Sequence, residues 1–228
     1  MRTIPGTALK NNLSGKVIYT PPEGEKKLRD LLTNWQEYIH ADDGVDPLIK
    51  LAVQHYQFEA IHPFTDGNGR TGRILNLLYL IKQDLLDSPI LYMSGYILQH
   101  RARYYRLLSD VTAKGRWIDW IVFMVLCVEE TAKRTATGIR SIQDLMEETE
   151  TLIREHRLSL RKGNITELLF MRPYVRVQDL RDMEGIGRDT ASAKLKALCD
   201  LDILREVVKG RHKLFVNEKL LHILRHQE

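Results

Sequence analysis

The alternation of apolar and polar positions predicts a mainly helical chain. Apolar residues recur at helical spacing in the segments 25–39, 46–62, 74–81 and 117–128, a pattern typical of amphipathic or buried helices. A longer, charge-rich segment over 139–161 has the same period. Near the N-terminus, two short extended runs within 6–11 and 16–20 predict a β-hairpin ahead of the helices.

The pattern changes at Asn164, which is a good helix cap. Two short helical segments follow, then a helix that begins at Arg188 or Asp189, then strand-like runs at 204–208 and 213–217. This order is typical of a winged helix-turn-helix. We therefore predict a helical bundle over 1–138, a linker helix over 139–163 ending at Gly163, and a winged helix-turn-helix domain over 164–228.

Two of the predicted helices flank one glycine-rich loop. Asp46 and Pro47 mark a helix start, and Pro63 ends that helix so that His62 is its last residue. The helix after the loop is apolar over nearly its whole surface, which predicts a buried central helix. The stretch between them, residues 62–73, reads HPFTDGNGRTGR, with Phe64 expected to anchor the loop in the core.

The chemistry of this stretch predicts a phosphate site. Gly67 and Gly69 allow positive φ and close approach of a ligand to the backbone, and the loop leads into a helix N-terminus, where free amides favour an anion. Arg70 and Arg73 oppose the helix dipole there, which is sensible if a polyphosphate lies between them. Asp66 supplies a carboxylate of the kind that holds Mg²⁺ against substrate phosphates.

Other interpretations of the same residues fit less well. GNGRTG has the form GxGxxG, but a dinucleotide fingerprint follows a strand, and here a helix precedes it. The loop lacks GK[ST], so it is not a Walker A motif. Glu59 and His62 form an ExxH pair, but a di-iron site needs a second copy. Glu59 is expected to orient His62 or to face solvent, and His55 to be a core histidine.

HPFTDGNGRTGR resembles the signature of the Fic family, HPFxxGNGRxxR, at every fixed position. The resemblance implies a helical bundle that transfers AMP from ATP, with Mg²⁺, to a hydroxyl side chain of a target protein or of the chain itself. It assigns His62 as general base, Asp66 as metal ligand, and Arg70 and Arg73 to the outer phosphates. The amides of Gly67 and Gly69, with Asn68, are expected to hold the α- and β-phosphates.

The resemblance extends beyond the motif, weakly from about Gly6 and more firmly from VIYTPP at residues 17–22 to the tryptophan-containing helix near Trp117. The tyrosine pair Tyr104 and Tyr105 is expected to border the adenine, with Gln99 one turn earlier on the same helix. The hairpin would be the flap that holds a target segment by strand addition, through Val17, Ile18 and Tyr19. Many Fic proteins carry an inhibitory helix marked [ST]xxxE[GN]. No such hexamer occurs in this sequence, so we expect a truncated or internally started form with Arg73 free for the γ-phosphate.

Composition narrows the partners only slightly. The net charge is +4 and the pI near 9.0, but residues 164–228 hold 12 Lys and Arg against 10 Asp and Glu, so the basic excess is spread evenly. The predicted winged helix could bind DNA through Arg188, Lys194, Lys209 and Arg211, or dock a protein. Without a signal peptide or membrane span, and with two isolated cysteines expected to be buried, a cytoplasmic location is expected.

Three questions stay open at this level. The chain could be a DNA-binding regulator that senses a nucleotide without catalysis, although a pure sensor needs no base at position 62. It could also transfer UMP, phosphate or phosphocholine, as some Fic proteins do. The sequence leaves open whether the chain forms a homodimer.

Overall fold

A computed structural model describes residues 2, 9–10, 17–158, 163–210 and 212–225. Of residues 9, 10, 17, 18, 209 and 212 it describes the backbone alone. The chain divides into two compact units, Met1–Lys133 and Arg134–Glu228. No helix within the described ranges is both long and apolar enough to cross a membrane.

The first unit combines a short hairpin with helices. Strands β1 (Leu9–Lys10) and β2 (Val17–Tyr19) pair antiparallel, with an irregular register, which confirms the predicted hairpin; residues 11–16 of its turn lie outside the described part. The helices that follow are α1 (Glu25–His40), α2 (Pro47–Ile61), α3 (Asn68–Lys82), α4 (Met93–Gln99) and α5 (Arg101–Lys114). Helix α6 (Trp117–Glu155) begins in this unit and ends in the second.

Helix α6 corrects the prediction of separate helices over 117–128 and 139–161. It is continuous through Gly138, because one glycine inside a long helix costs only about 1 kcal/mol. It ends at Glu155 rather than 161. There Arg157 takes a left-handed conformation, with φ 55°, and the Leu158 amide donates to the Ile153 carbonyl at 2.9 Å. Gly163, the expected terminator, is therefore not the residue that ends this helix.

Helix α2 starts and stops where the sequence predicts. The Asp46 carboxylate accepts from the Leu48 amide at 2.8 Å, and Pro47 takes the first helical position. The buried face of α2 contributes Leu51 and Ala52 to the main core of the unit, where the Trp120 indole donates to the Ala52 carbonyl at 2.8 Å. This core holds α2 rigidly up to the loop that follows it.

Helix α3 is not buried all round, which corrects the prediction made from its apolar residues. Ile74 and Leu78 are 57% and 54% exposed. The buried face instead carries Asn76, whose side-chain oxygen accepts from the Gln54 amide of α2 at 2.5 Å. A polar pair thus joins the two helices that flank the loop.

The second unit has the order of elements of a winged helix-turn-helix, which confirms the predicted fold class. Asn164 caps its first helix through the Thr166 amide at 2.9 Å. Its elements are α7 (Ile165–Met171), β3 (Tyr174–Val175), α8 (Val177–Glu184), α9 (Arg188–Asp200), β4 (Arg205–Lys209), β5 (His212–Val216) and α10 (Glu218–Arg225). The strands form one antiparallel sheet in the order β3-β5-β4. Strand β3 and helix α10 were not predicted.

The Gln54–Asn76 pair allows a test of how α2 and α3 are held together. The Gln54 oxygen and the Asn76 nitrogen are buried without a hydrogen-bond partner in the described chain, so the pair is only half satisfied. Gln54→Leu alone should destabilise the fold by about 1–3 kcal/mol, because it leaves the Asn76 oxygen unpaired. Gln54→Leu with Asn76→Leu should recover that loss in urea denaturation. A double variant less stable than the Gln54→Leu variant would contradict this role of the pair.

Candidate active site

His62 lies at the junction of α2 and the loop, as the sequence predicts. It is the C-cap of α2, with φ 51° and its amide bonded to the Phe58 carbonyl at 3.0 Å. Its side chain is half-buried, and Nδ1 lies 3.4 Å from the backbone carbonyl of Glu59. Because a carbonyl oxygen can only accept, that contact requires the proton on Nδ1 and leaves the lone pair on Nε2. The Glu59 backbone, and not its carboxylate, therefore orients His62.

The environment of His62 favours the neutral imidazole. Burial lowers the pKa of His62, the bond to the Glu59 carbonyl raises it, and the positive charge of Arg2 lowers it again. Arg2 is itself 3% exposed. Its guanidinium donates to the His62 carbonyl at 3.1 Å and to the Pro22 carbonyl at 2.6 Å, and its amide donates to the Pro63 carbonyl at 2.7 Å. Arg2 thus holds the backbone at the start of the loop in place and puts a positive charge beside it.

Asn68 closes the loop. Its side-chain oxygen accepts from the Phe64 amide at 2.8 Å, and its side-chain nitrogen donates to the Phe64 carbonyl at 2.7 Å. Asn68 is only 2% exposed, whereas Phe64 is 38% exposed. The Phe64 ring is thus only partly buried, beside the buried Phe58 with 6.4 Å between the ring centres, so it anchors the loop only in part. The Asn68 side chain is the second anchor, so a phosphate contact at this residue would have to come from its backbone amide.

The start of α3 presents an anion site. Gly67 is its N-cap, with φ 83°, and no side chain of the described residues caps the helix. The first helical hydrogen bond runs from the Thr71 amide to the Gly67 carbonyl at 2.9 Å, so the amides of Asn68, Gly69 and Arg70 have no partner within the helix. Unpaired amides and the helix dipole together favour a negative charge at this point.

Both arginines of the motif come with a carboxylate. Arg70 pairs with Asp66 at 3.0 Å, in an exposed i,i+4 pair. Arg73 lies against Gly69: a Cβ built on Gly69 would be 3.1 Å from the Arg73 guanidinium and 3.8 Å from Glu59 Oε1. The Asp66 carboxylate therefore compensates the charge of Arg70 directly, whereas Glu59 lies near Arg73 without forming an ion pair with it among the contacts of the described residues.

Asp66 fits the role of a Mg²⁺ ligand supplied together with a nucleotide. Its side chain is 90% exposed, and only Oδ2 contacts Arg70. No group of three or more metal-binding side chains lies within the described ranges. A single accessible carboxylate suits an ion that keeps most of its waters and takes further ligands from phosphates.

A buried polar cluster lies behind the loop. His55 is fully buried, its Nε2 is 3.0 Å from the Tyr104 hydroxyl, and its ring stacks on Trp120. Burial lowers the pKa of His55 to about 3, and Arg73 contributes to that lowering. Glu59 faces this interior and not solvent: burial raises the pKa of its carboxyl to about 7, against the lowering effect of Arg73. His55 is thus a neutral core histidine, as predicted.

The tyrosine pair divides between core and surface. Tyr104 is 4% exposed and bonded to His55, whereas Tyr105 is 45% exposed, with the Arg101 guanidinium 5.7 Å from its ring centre. Gln99 is the last residue of α4, so the expectation that it shares a helix with the tyrosines is wrong. Tyr105 and Gln99 are both exposed. Tyr104 acts through packing.

The hairpin is tied to the site through Tyr19. Its hydroxyl donates to the Ala60 carbonyl of α2 at 2.8 Å, and burial raises its pKa. The side chains of Val17 and Ile18 lie outside the described part of the chain. Tyr19 therefore anchors the strand to α2 with its hydroxyl, and docking of a target segment stays a prediction for the strand as a whole.

The predicted DNA-contacting residues are only partly available in the second unit. Arg188 is exposed at the first position of α9. Lys194 forms an ion pair with Glu184, at 3.1 Å, in which the Glu184 side chain is 2% exposed. The Lys209 side chain and all of Arg211 lie outside the described residues. The structure leaves the choice between a DNA partner and a protein partner open. The ammonium group of Lys194, however, is used in the ion pair that joins the end of α8 to α9.

Two residues near the site escaped the sequence analysis. Arg2 gave no signal, because nothing in the sequence links residue 2 to a residue 60 positions later. Gly72 did give one: a glycine inside a helix costs stability and suggests a packing reason. A Cβ on Gly72 would lie 2.7 Å from Glu59 Oε1 and 3.2 Å from the His55 ring. A side chain at position 72 would therefore have to displace the Glu59 carboxylate and shift the His55 ring slightly.

Comparison with known proteins agrees with this geometry. Residues 1–80 match the model of the Fic/DOC family, and residues 145–220 match that of the C-terminal domain of SoFic-like protein adenylyltransferases. A protein adenylyltransferase Fic of Culex quinquefasciatus is 31% identical over 112 residues, which are 48% of this chain and 21% of that protein. A probable protein adenylyltransferase of Aquifex aeolicus is 32% identical over 102 residues, 44% of this chain and 31% of that protein.

A crystal structure of a Fic family protein from Desulfovibrio desulfuricans G20 aligns with 86% of this chain and 56% of that one, at 18% identity and a TM-score of 0.48. The matched segment spans only 21% to 31% of the two relatives' length. The family models cover the loop and most of the second unit. Residues 1–80 therefore match a Fic/DOC domain, and residues 145–220 match the C-terminal domain of SoFic-like protein adenylyltransferases.

Proposed function

We propose that the site transfers AMP from ATP to a hydroxyl group of a target protein, or of this chain, and releases pyrophosphate. The observation that carries the proposal is the placement of His62 and the α3 N-terminus at the two ends of one loop closed by Asn68. A base and an anion site held in this way have the geometry for attack on a phosphorus atom. The relatives' names point to the same reaction.

In the proposed reaction, His62 Nε2 accepts the proton of the attacking hydroxyl. The hydroxyl oxygen forms a bond to the α-phosphorus, and the bond from that phosphorus to the bridging oxygen of pyrophosphate breaks. The amides at the start of α3 hold the phosphate oxygens where negative charge develops. Asp66 would hold Mg²⁺, which would supply positive charge to the phosphates as pyrophosphate leaves. Arg70 and Arg73 bind the outer phosphates.

The identity of the transferred group depends on contacts away from the loop. The loop would treat any nucleoside triphosphate alike, because it contacts phosphate alone. Selection of adenine would fall to the exposed Tyr105 and to Gln99 at the end of α4. Incubation with ATP, UTP and CDP-choline, each labelled in the transferred group, and location of the label by mass spectrometry would distinguish AMP transfer from transfer of UMP or phosphocholine. ATP labelled at the γ-phosphate would report phosphate transfer.

His62 is best tested by replacement with Asn. Position 62 has a left-handed backbone, which Asn tolerates better than Ala, so His62→Asn should keep the loop conformation. The variant should retain ATP binding and lose about 10²- to 10⁴-fold in transfer rate, the range found for a general base. His156→Asn, at an exposed histidine just beyond α6, is the matched control. Full transfer by His62→Asn would refute the assignment.

The effect of the Arg2 charge on His62 leads to a prediction for the pH dependence of transfer. His62 must be neutral to act, so the rate should fall as pH drops through its pKa, which lies below the ordinary value. Loss of the Arg2 charge removes a repulsion that disfavours the imidazolium, so Arg2→Met should raise the pKa of His62 and move this acid limb to higher pH. Arg2→Lys should keep the limb near that of the parent protein. A rate profile that is identical for Arg2→Met and the parent would exclude this effect of Arg2.

A further inference from the structure

Glu59 is a half-buried acid, with one carboxylate oxygen buried, for which the proposed reaction has no use. It lies on α2, one turn before His62, and its Oε1 is buried without a hydrogen-bond partner in the described residues. Burial of a carboxylate oxygen without a partner is costly. A chain that keeps such a group beside its anion site gains something from it there.

The glycines of α3 make room for this carboxylate. A Cβ on Gly72 would lie 2.7 Å from Glu59 Oε1, which no real side chain could occupy without displacing the acid. A Cβ on Gly69, one turn earlier, would lie 3.8 Å from Glu59 Oε1 and 3.1 Å from the Arg73 guanidinium. Both positions are within a helix, where glycine is less stable than alanine. The two glycines thus lower the stability of α3, but they leave space for Glu59 and Arg73 beside its first turn.

Arg73 needs such a counter-charge to stay near the loop. A cation in the first turn or two of a helix is repelled by the helix dipole, and Arg70 is a second cation one turn away. Arg70 has Asp66 at 3.0 Å. Arg73 forms no direct hydrogen bond or ion pair with Glu59 among the contacts of the described residues, yet it is close enough to lower the pKa of the Glu59 carboxyl. The attraction between the Glu59 carboxylate and the Arg73 guanidinium is therefore electrostatic, and it leaves the N–H donors of Arg73 unused.

We propose that Glu59 is a positioning residue, whose carboxylate holds the Arg73 guanidinium beside the N-terminus of α3 so that its donors meet the outer phosphates of ATP. The inference rests on the proposed function, since it takes Arg73 as a phosphate ligand. The inference adds a reason why Arg73 stays near the N-terminus of α3, where the helix dipole repels a positive charge. Glu59 itself touches no substrate.

The test is a double-mutant cycle on ATP affinity. Titration calorimetry with Mg²⁺-ATP, at about pH 8 where the Glu59 carboxyl is ionised, compares the parent with Glu59→Gln, Arg73→Ala and the double variant. Glu59→Gln keeps the shape of the side chain and should weaken ATP binding about five- to tenfold, a coupling of the size seen between interacting residues. The double variant should bind ATP no more weakly than Arg73→Ala alone. Binding of AMP, which lacks the outer phosphates, should be unchanged in Glu59→Gln.

A matched control separates positioning from packing. Gln54→Ala removes another buried polar contact between α2 and α3, and its effect on ATP affinity should simply multiply with that of Arg73→Ala. Thermal unfolding of every variant checks that the fold is retained. Gly72→Ala raises the intrinsic stability of α3 but displaces Glu59. Like Glu59→Gln, it should weaken the binding of ATP and leave the binding of AMP unchanged.

Three results would overturn the inference: independent effects of Glu59→Gln and Arg73→Ala, an equal loss of AMP and ATP affinity in Glu59→Gln, or tighter ATP binding by that variant. These are distinct from failure of the proposed function. If the parent neither binds ATP nor transfers AMP, both proposals fall. If the parent transfers AMP and requires His62, the double-mutant cycle tests only the positioning role of Glu59.

Discussion

The close approach of α2 and α3 is the constraint on which the site depends. The two helices meet across Gly72, where the Glu59 carboxylate and the His55 ring leave no room for a side chain, and they are joined further along by Gln54 and Asn76. This contact sets the span that the loop must bridge. The loop then needs little further support, because Asn68 holds both backbone polar groups of Phe64. The positions of His62 and of the α3 N-terminus follow from helix packing and one side chain.

Much of this site could be predicted from the sequence, for physical reasons. Asp46, Pro47 and Pro63 act locally, through capping and fixed backbone angles, so the ends of α2 could be predicted to within one residue. The anion site could be predicted because glycines before a helix, followed by arginines in its first turns, together favour a bound anion. What failed depended on tertiary contacts. The burial of α3 was overpredicted because apolar residues at 74 and 78 cannot be told from core residues without knowing which neighbours exist.

The long helix and the tyrosine pair show the same limit in other ways. Propensity places a possible break at Gly138, but the helix continues because residues on both sides favour it, and it ends where the chain reverses at Arg157. Adjacency shows that Tyr104 and Tyr105 face different directions, but only packing decides which one is buried. The hydroxyl of Tyr104 pairs with His55, whose helical spacing alone indicates a core residue. Distant pairings of this kind, like that of Arg2 with residues 62 and 63, leave no trace in a single sequence.

The Asn68 side chain also bears on the chemical durability of the loop. Asn68 is followed by Gly69, and an asparagine before a glycine is the peptide sequence most open to cyclisation, in which the glycine amide nitrogen attacks the side-chain carbonyl and ammonia is lost. Here the side-chain oxygen and nitrogen are both held by Phe64, and the backbone is fixed in the first turn of α3. The same two hydrogen bonds that shape the site therefore keep its asparagine out of the geometry that cyclisation requires. Each excursion that opens the loop removes this protection, and the aspartate left afterwards could no longer donate to the Phe64 carbonyl.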